Sequence, residues 1–144
     1  MHEVNPQVAL LGRGPILPVT IGVHDAVASE MRERRMEIPP PAAGHALLDT
    51  GASVTCIDDA AAQKLKLRPI GIANMASASH SATKMKVYPA RIHLVGTDIL
   101  ISTQHAVGAS LGAQGGIIAL IGRDIMKDFT LFYNGPAGAI TLAL

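Results

Sequence analysis

The feature that most restricts this chain is a carboxylate that closes an apolar run and is followed at once by a small hydroxyl residue and a glycine, in Ala46-Leu47-Leu48-Asp49-Thr50-Gly51-Ala52-Ser53. A short apolar run of this kind has buried-strand character, so the chain delivers Asp49 to the rim of a core, where its charge is partly desolvated. Gly51 permits a sharp turn and the close approach of another segment. Thr50 brings a hydroxyl that can satisfy a backbone group where water is absent. One carboxylate so placed has little chemistry. Two that face each other share a proton, so that one serves as acid and the other as base toward a water attacking an amide. The stretch occurs once in the sequence, and a pair therefore requires two copies of the chain across a two-fold axis.

With 144 residues the chain has the length of one domain and can bury a core of its own. Apolar residues make up 49% and charged residues 16%, which excludes a disordered chain. Aromatics are 3% and tryptophan is absent, so the core has to be built from Val, Ile, Leu, Ala and Met. A formal net charge of +1 provides no overall footprint for nucleic acid or an anionic membrane, and neither is expected as a partner. Cys56 is the only cysteine, which rules out an intrachain disulfide, and its apolar neighbours read it as a small buried hydrophobe. No stretch approaches the roughly 20 apolar residues needed to span a bilayer. The first fifteen residues do not have the form of a secretory signal, so a cytoplasmic location is expected. The histidines at 2, 24, 45, 80, 93 and 105 show none of the tight spacings of metal sites, so neither a metal nor another cofactor is expected.

Along the chain, residues 8–11 and 16–23 read as strands separated by Gly12-Arg13-Gly14-Pro15, where the prolines at 15 and 18 argue against a phosphate-binding loop. Residues 26–37 suit a short helix with a solvated face of mixed Arg and Glu, and Pro39-Pro40-Pro41 must be extended. Asp58 can cap a helix over 59–65. Residues 72–78 and 83–94 read as two strands joined by a tip of small polar residues over 77–82. A strand over 98–101 precedes the glycine-rich 107–116, read as a loop or a single loose turn. Residues 117–121 form an all-apolar run, expected to be buried on both faces. A short helix over 122–128 and a hairpin of 130–133 with 139–144, turning at Asn134-Gly135, complete the chain.

The stretch around Asp49 resembles the active-site turn of the retroviral-type, retropepsin-like aspartic proteases, and the helix over 59–65 that follows it resembles the bacterial and DNA-damage-inducible-like branch more than the viral one. A second element, Ile118-Ala119-Leu120-Ile121-Gly122-Arg123-Asp124, resembles the apolar-apolar-Gly-Arg-Asp/Asn segment that leads into that family's C-terminal helix. The two occur in the family's order with room between them for a flap. The resemblance implies a mainly β, closed barrel-like single domain over residues 1–144 with one or two short helices, working as a homodimer. Residues 24–44 become an insertion in the hairpin before the active-site turn, and about 70–94 the flap region. An N-terminal strand would join the dimer interface.

The activity implied is that of an aspartic endopeptidase, with Asp49 from each chain forming the dyad. Thr50 would hydrogen-bond across the two-fold axis, Gly51 would present its carbonyl to substrate, and Ala52 would complete the turn. Ala78, Ser79 and His80 at the flap tip would touch an extended peptide or protein substrate. Arg123 and Asp124 would be structural. In viral members the arginine pairs with an Asp four residues after the catalytic one; Ser53 stands at that place, so the ion pair does not transfer and a bond from Arg123 to the turn backbone is left open. The alternative is a non-catalytic module of the same fold that binds extended peptides.

Overall fold

The computed structural model describes residues 5–77, 80–112 and 115–144. The fold is mainly β: six strands close into a barrel, a hairpin arm projects from it, and a separate two-stranded hairpin ends the chain. The strands are β1 (Ile16–Gly22), β2 (Ala42–Leu48), β3 (Cys56–Asp58), β4 (Gly71–Ser77), β5 (His80–Leu94), β6 (Leu100–Ala109), β7 (Ile117–Ile121), β8 (Thr130–Asn134) and β9 (Ala139–Ala143). Four short helices accompany them, not the one or two that the resemblance implied: α1 (Pro6–Arg13), α2 (Asp25–Glu33), α3 (Asp59–Lys64) and α4 (Arg123–Met126). The barrel runs β1-β2-β7-β3-β6-β5 and closes by antiparallel pairing of β5 back onto β1. Closure removes the exposed edges that an open sheet of this size would leave. No helix of the described residues is long and apolar enough to cross a membrane.

Two prolines sit where their missing N–H costs little. Pro18 pairs only with His45 of β2, because β1 does not meet β5 until Val19. Pro89 falls at the register shift between Tyr88↔Ala106 and Ala90↔Thr103, a bulge that re-aims β5. One fifteen-residue strand thereby serves two structures: its second half closes the barrel, and its first half pairs with β4 to form the projecting arm.

Inside the barrel, Val19, Ile21, Ile57, Ala90, Ile92 and Ala106 are fully buried, with Ala46, Ala62 and Ala119 filling the narrow spaces between them. Each large aliphatic so buried stabilises the fold by about 1.5–3 kcal/mol. The one large polar side chain in this core is Tyr88, whose hydroxyl donates to Asp59 Oδ1 at 2.7 Å. Burial, and then that bond, push the Tyr88 phenol up to about 12. Asp58 caps α3 as expected, accepting from Ala61 N–H at 3.2 Å, and it also accepts from Leu111 N–H at 2.9 Å and Gly112 N–H at 3.1 Å. It thus ties the connection after β6 to the start of α3.

Three sequence expectations are corrected. Residues 8–11 are helical, not a strand: Asn5 accepts from Gln7 N–H at 2.9 Å, Pro6 opens the first turn, and Gly14 at φ +78° stops it. The apolar run Val8-Ala9-Leu10-Leu11 misleads because only Leu10 is buried, while Leu11 is 85% exposed. Second, β6 extends through Val107-Gly108-Ala109, which had read as loop. Gly108 marks close packing there, since a Cβ would lie 2.7 Å from Tyr88 Cε2 and 2.8 Å from Asp59 Oδ1. Third, β7 alternates: Ile117, Ala119 and Ile121 are buried, while Ile118 and Leu120 are only half-buried. Leu120 packs under the β4–β5 arm and not in the barrel interior.

The segment between β1 and β2 holds α2, capped by His24, whose Nδ1 accepts from Ala26 N–H at 3.1 Å. Asp25 anchors α2 to the barrel wall, accepting from Ser102 Oγ and from Arg91 Nη1, each at 2.9 Å. The bond from Ser102, and beyond it the Arg91 guanidinium, hold the Asp25 carboxyl below its ordinary range.

Candidate active site

Asp49 follows β2 directly, where the parallel partner β7 ends at Ile121. Its N–H donates to Ile121 O at 2.9 Å, the last rung between the two strands. Its side chain is half-buried, and Oδ1 accepts from Gly51 N–H at 3.0 Å. The Asp49 carbonyl accepts from Ala52 N–H at 3.1 Å, closing a tight turn. Gly51 lies close to the carboxylate: a Cβ there would stand 3.2 Å from Asp49 Oδ1, which would have to shift by a few tenths of an ångström. Thr50 and Gly51 are exposed at the surface of the single chain.

The second motif locks onto this turn. Arg123 N–H donates to Ala52 O at 2.9 Å, and Arg123 Nη1 donates to Thr50 O at 2.7 Å, the backbone bond that the sequence left open. Asp124 accepts from Thr55 N–H at 3.0 Å and from Thr55 Oγ1 at 2.7 Å. Thr55 Oγ1 in turn accepts from Gly122 N–H at 3.0 Å. Gly122 passes so close to the turn that a Cβ would lie 2.7 Å from the Val54 carbonyl carbon. Thr55 is fully buried and was missed in the sequence, although a hydroxyl between Val54 and Cys56 on the way into a buried strand demands a partner.

An apolar floor lies beside the turn and beneath the arm. Cys56, Val87 and Val107 are its buried members, with Val54, Ala73, Met75, Met85, Ala109 and Leu120 packed around them. Burial pushes the Cys56 thiol up, and the charges of Asp124 and Asp49 push it further in the same direction. The thiol is accordingly a poor nucleophile and serves as packing. Of the flap-tip residues named above, Ala78 and Ser79 lie outside the described residues, and His80 is placed by its pairing with Ser77 at the head of the arm.

A groove of about 940 Å³ runs between β6 and α4, lined by Val54, Leu100, Ile101, Asp124, Phe129 and Leu144. Asp49 is not among its walls. In one chain the carboxylate stands at an open rim with an apolar floor on one side and solvent on the other. Among the described residues no three His, Cys, Asp or Glu side chains converge as metal ligands would.

No family model matches this chain, and no curated protein matches it.

The clamp makes a direct prediction. Thr55→Val keeps the volume but removes the bond to Asp124 Oδ1 and the acceptor for Gly122 N–H. Stability should fall by about 2–3 kcal/mol, read as a lower denaturation midpoint at unchanged m-value.

Proposed function

We propose that the protein is a homodimeric aspartic endopeptidase of retropepsin type. The observation that carries this reading is the Asp49-Thr50-Gly51 turn at the end of β2, clamped from beneath by residues 121–124 and flanked by an apolar floor under a projecting arm. In the assembled dimer the two Asp49 carboxylates meet and hold one proton between them. The ionised member takes a proton from a bound water as its oxygen bonds to the amide carbon, and the protonated member donates to the carbonyl oxygen. Collapse of the tetrahedral adduct breaks the C–N bond and passes a proton to the leaving amine. The pair titrates as a unit. The substrate is an extended peptide, bound by its backbone along Gly51 and the arm, with alternate side chains on the apolar floor.

Exposed apolar side chains support two-fold assembly. Phe132 and Tyr133 on β8 and Leu144 after β9 are 63%, 53% and 80% exposed, and the β8–β9 pair joins no other strand among the described residues. Because the first described element is a helix, the interface in this reading is built from the terminal hairpin of each protomer and not from an N-terminal strand.

Asp49→Asn tests the chemistry cleanly, because the amide oxygen still accepts from Gly51 N–H. Cleavage of a diverse peptide pool should drop by at least about a thousandfold with the fold intact. Peptide binding by the unaltered protein without any cleavage would instead identify a non-catalytic module.

Assembly predicts that specific activity falls on dilution. Phe132→Lys should raise the dimer dissociation constant at least tenfold, about 1.4 kcal/mol, by analytical ultracentrifugation. A monomer that keeps full activity at high dilution would end the shared-dyad reading.

Ala52 offers no hydroxyl to stabilise the ionised dyad. Activity should therefore extend to mildly acidic or neutral pH, and Ala52→Ser should move the optimum toward acid, visible in the pH profile of kcat/KM.

A further inference from the structure

The near-zero net charge conceals a segregated surface. From residue 60 to residue 97 the chain contains six cations, Lys64, Lys66, Arg68, Lys84, Lys86 and Arg91, and not one Asp or Glu. Arg91 is engaged by Asp25. The other five are exposed and make no ion pair among the described residues.

Topology puts two of these five on the arm and three on the segment that leads into it. Lys84 and Lys86 flank Met85 on β5; since Met85 packs on the floor beside Cys56, the two lysines stand on the opposite, outer face. Their cross-strand partners on β4 are Asn74 and Ile72, so Ile72, 69% exposed, shares that outer face. The chain enters β4 through Lys64, Lys66 and Arg68, and Ile70, 57% exposed, is held against β5 by its N–H bond to Val87 O at 2.8 Å. Among the described residues β4 is the last strand of its sheet and pairs on one side only. The result is an open strand edge beside two exposed isoleucines and five cations.

We propose that this outer face of the β4–β5 arm is a docking surface for an acidic, extended protein segment. The free edge of β4 supplies backbone hydrogen bonds, Ile70 and Ile72 supply apolar contact, and the five cations select carboxylates. Long lysine stems reach past β4 to a strand added at its edge. A strand edge favours an extended polypeptide over a bilayer or a nucleic acid, neither of which can complete a β ladder. Asp59, at the start of α3, has both oxygens engaged by Tyr88 and Gln63 and makes no ion pair with any of the five among the described residues. The surface does not depend on peptidase chemistry, because it lies on the side of the arm away from Asp49's floor.

Fluorescence anisotropy with the full chain carrying Asp49→Asn, which prevents cleavage, tests this with a labelled twelve-residue peptide of alternating Glu and Val and its Lys/Val counterpart. The acidic peptide should bind, the basic one should not, and affinity should fall with salt between 50 and 200 mM. Lys84→Glu/Lys86→Glu should weaken binding at least tenfold, as should Arg68→Glu, which lies outside the arm and controls for damage to it. Absence of binding, or binding indifferent to both variants, overturns the proposal. So does tighter capture of phosphatidylserine vesicles or a single-stranded oligonucleotide than of the peptide.

Discussion

The structure depends on a clamp between two segments far apart in sequence. Residues 49–55 form a turn that leaves the barrel and re-enters it, and such a turn has few ladder bonds of its own. Asp124 supplies them from the far side: both its oxygens are taken by Thr55, and Thr55 passes the connection on to Gly122 N–H. Arg123, between them, holds the carbonyls of Thr50 and Ala52. A carboxylate used in this way must be fully satisfied, because a half-paired buried network costs more than an apolar one. Among the described residues no buried side-chain polar atom lacks a partner. The clamp fixes the position of the Asp49 backbone, and among the described residues only Gly51 N–H donates to its carboxylate. In the proposed reading the other oxygen meets the partner carboxylate or water.

The long strand β5 is the second device. After its bulge at Pro89 the strand pairs on both sides in the barrel; before it, Val87 and Tyr88 still pair with β6, and the residues ahead of Val87 pair with β4 alone. In the proposed reading only that leading part of the arm moves. Met75 and Met85, which pack there with Cys56 and Val107, are unbranched, polarizable side chains that adapt to sliding. In the proposed reading this is what a lid over an extended peptide requires.

How much of this was legible follows from how local each signal is. The turn at Asp49 and the cap at Asp58 are short patterns closed by adjacent residues, and they were read from the sequence at the positions where the structure has them; the partners of Arg123 and Asp124, about 70 residues away, were not. Residues 8–11 failed because four apolar residues in a row look the same in a strand and in a helix; Asn5-Pro6 was the discriminating signal and lay just upstream. Gly108 failed for the opposite reason: a glycine in a strand and one in a loop differ only by what stands opposite, here Tyr88 from a strand twenty residues away. Asp25 with Arg91 and Ser102 could not be found at all, since its partners are 66 and 77 residues distant.

Charge illustrates the same limit on a larger scale. Net charge is a sum, and a sum of +1 is equally compatible with a neutral surface and with a divided one. Six cations and no acid over residues 60–97 require the remainder of the chain to carry six cations against eleven acids. Folding then decides whether such a division survives in space. Here it does, because the basic stretch is not interleaved: among the described residues β4 pairs only with β5, so lysines on β5 meet Ile72 and Asn74 across the ladder and not a carboxylate. A hairpin made from one contiguous segment inherits the composition of that segment, whereas a barrel strand such as β7 lies between two strands from other parts of the chain. The arm is therefore the part of this fold in which local sequence composition translates directly into a surface potential.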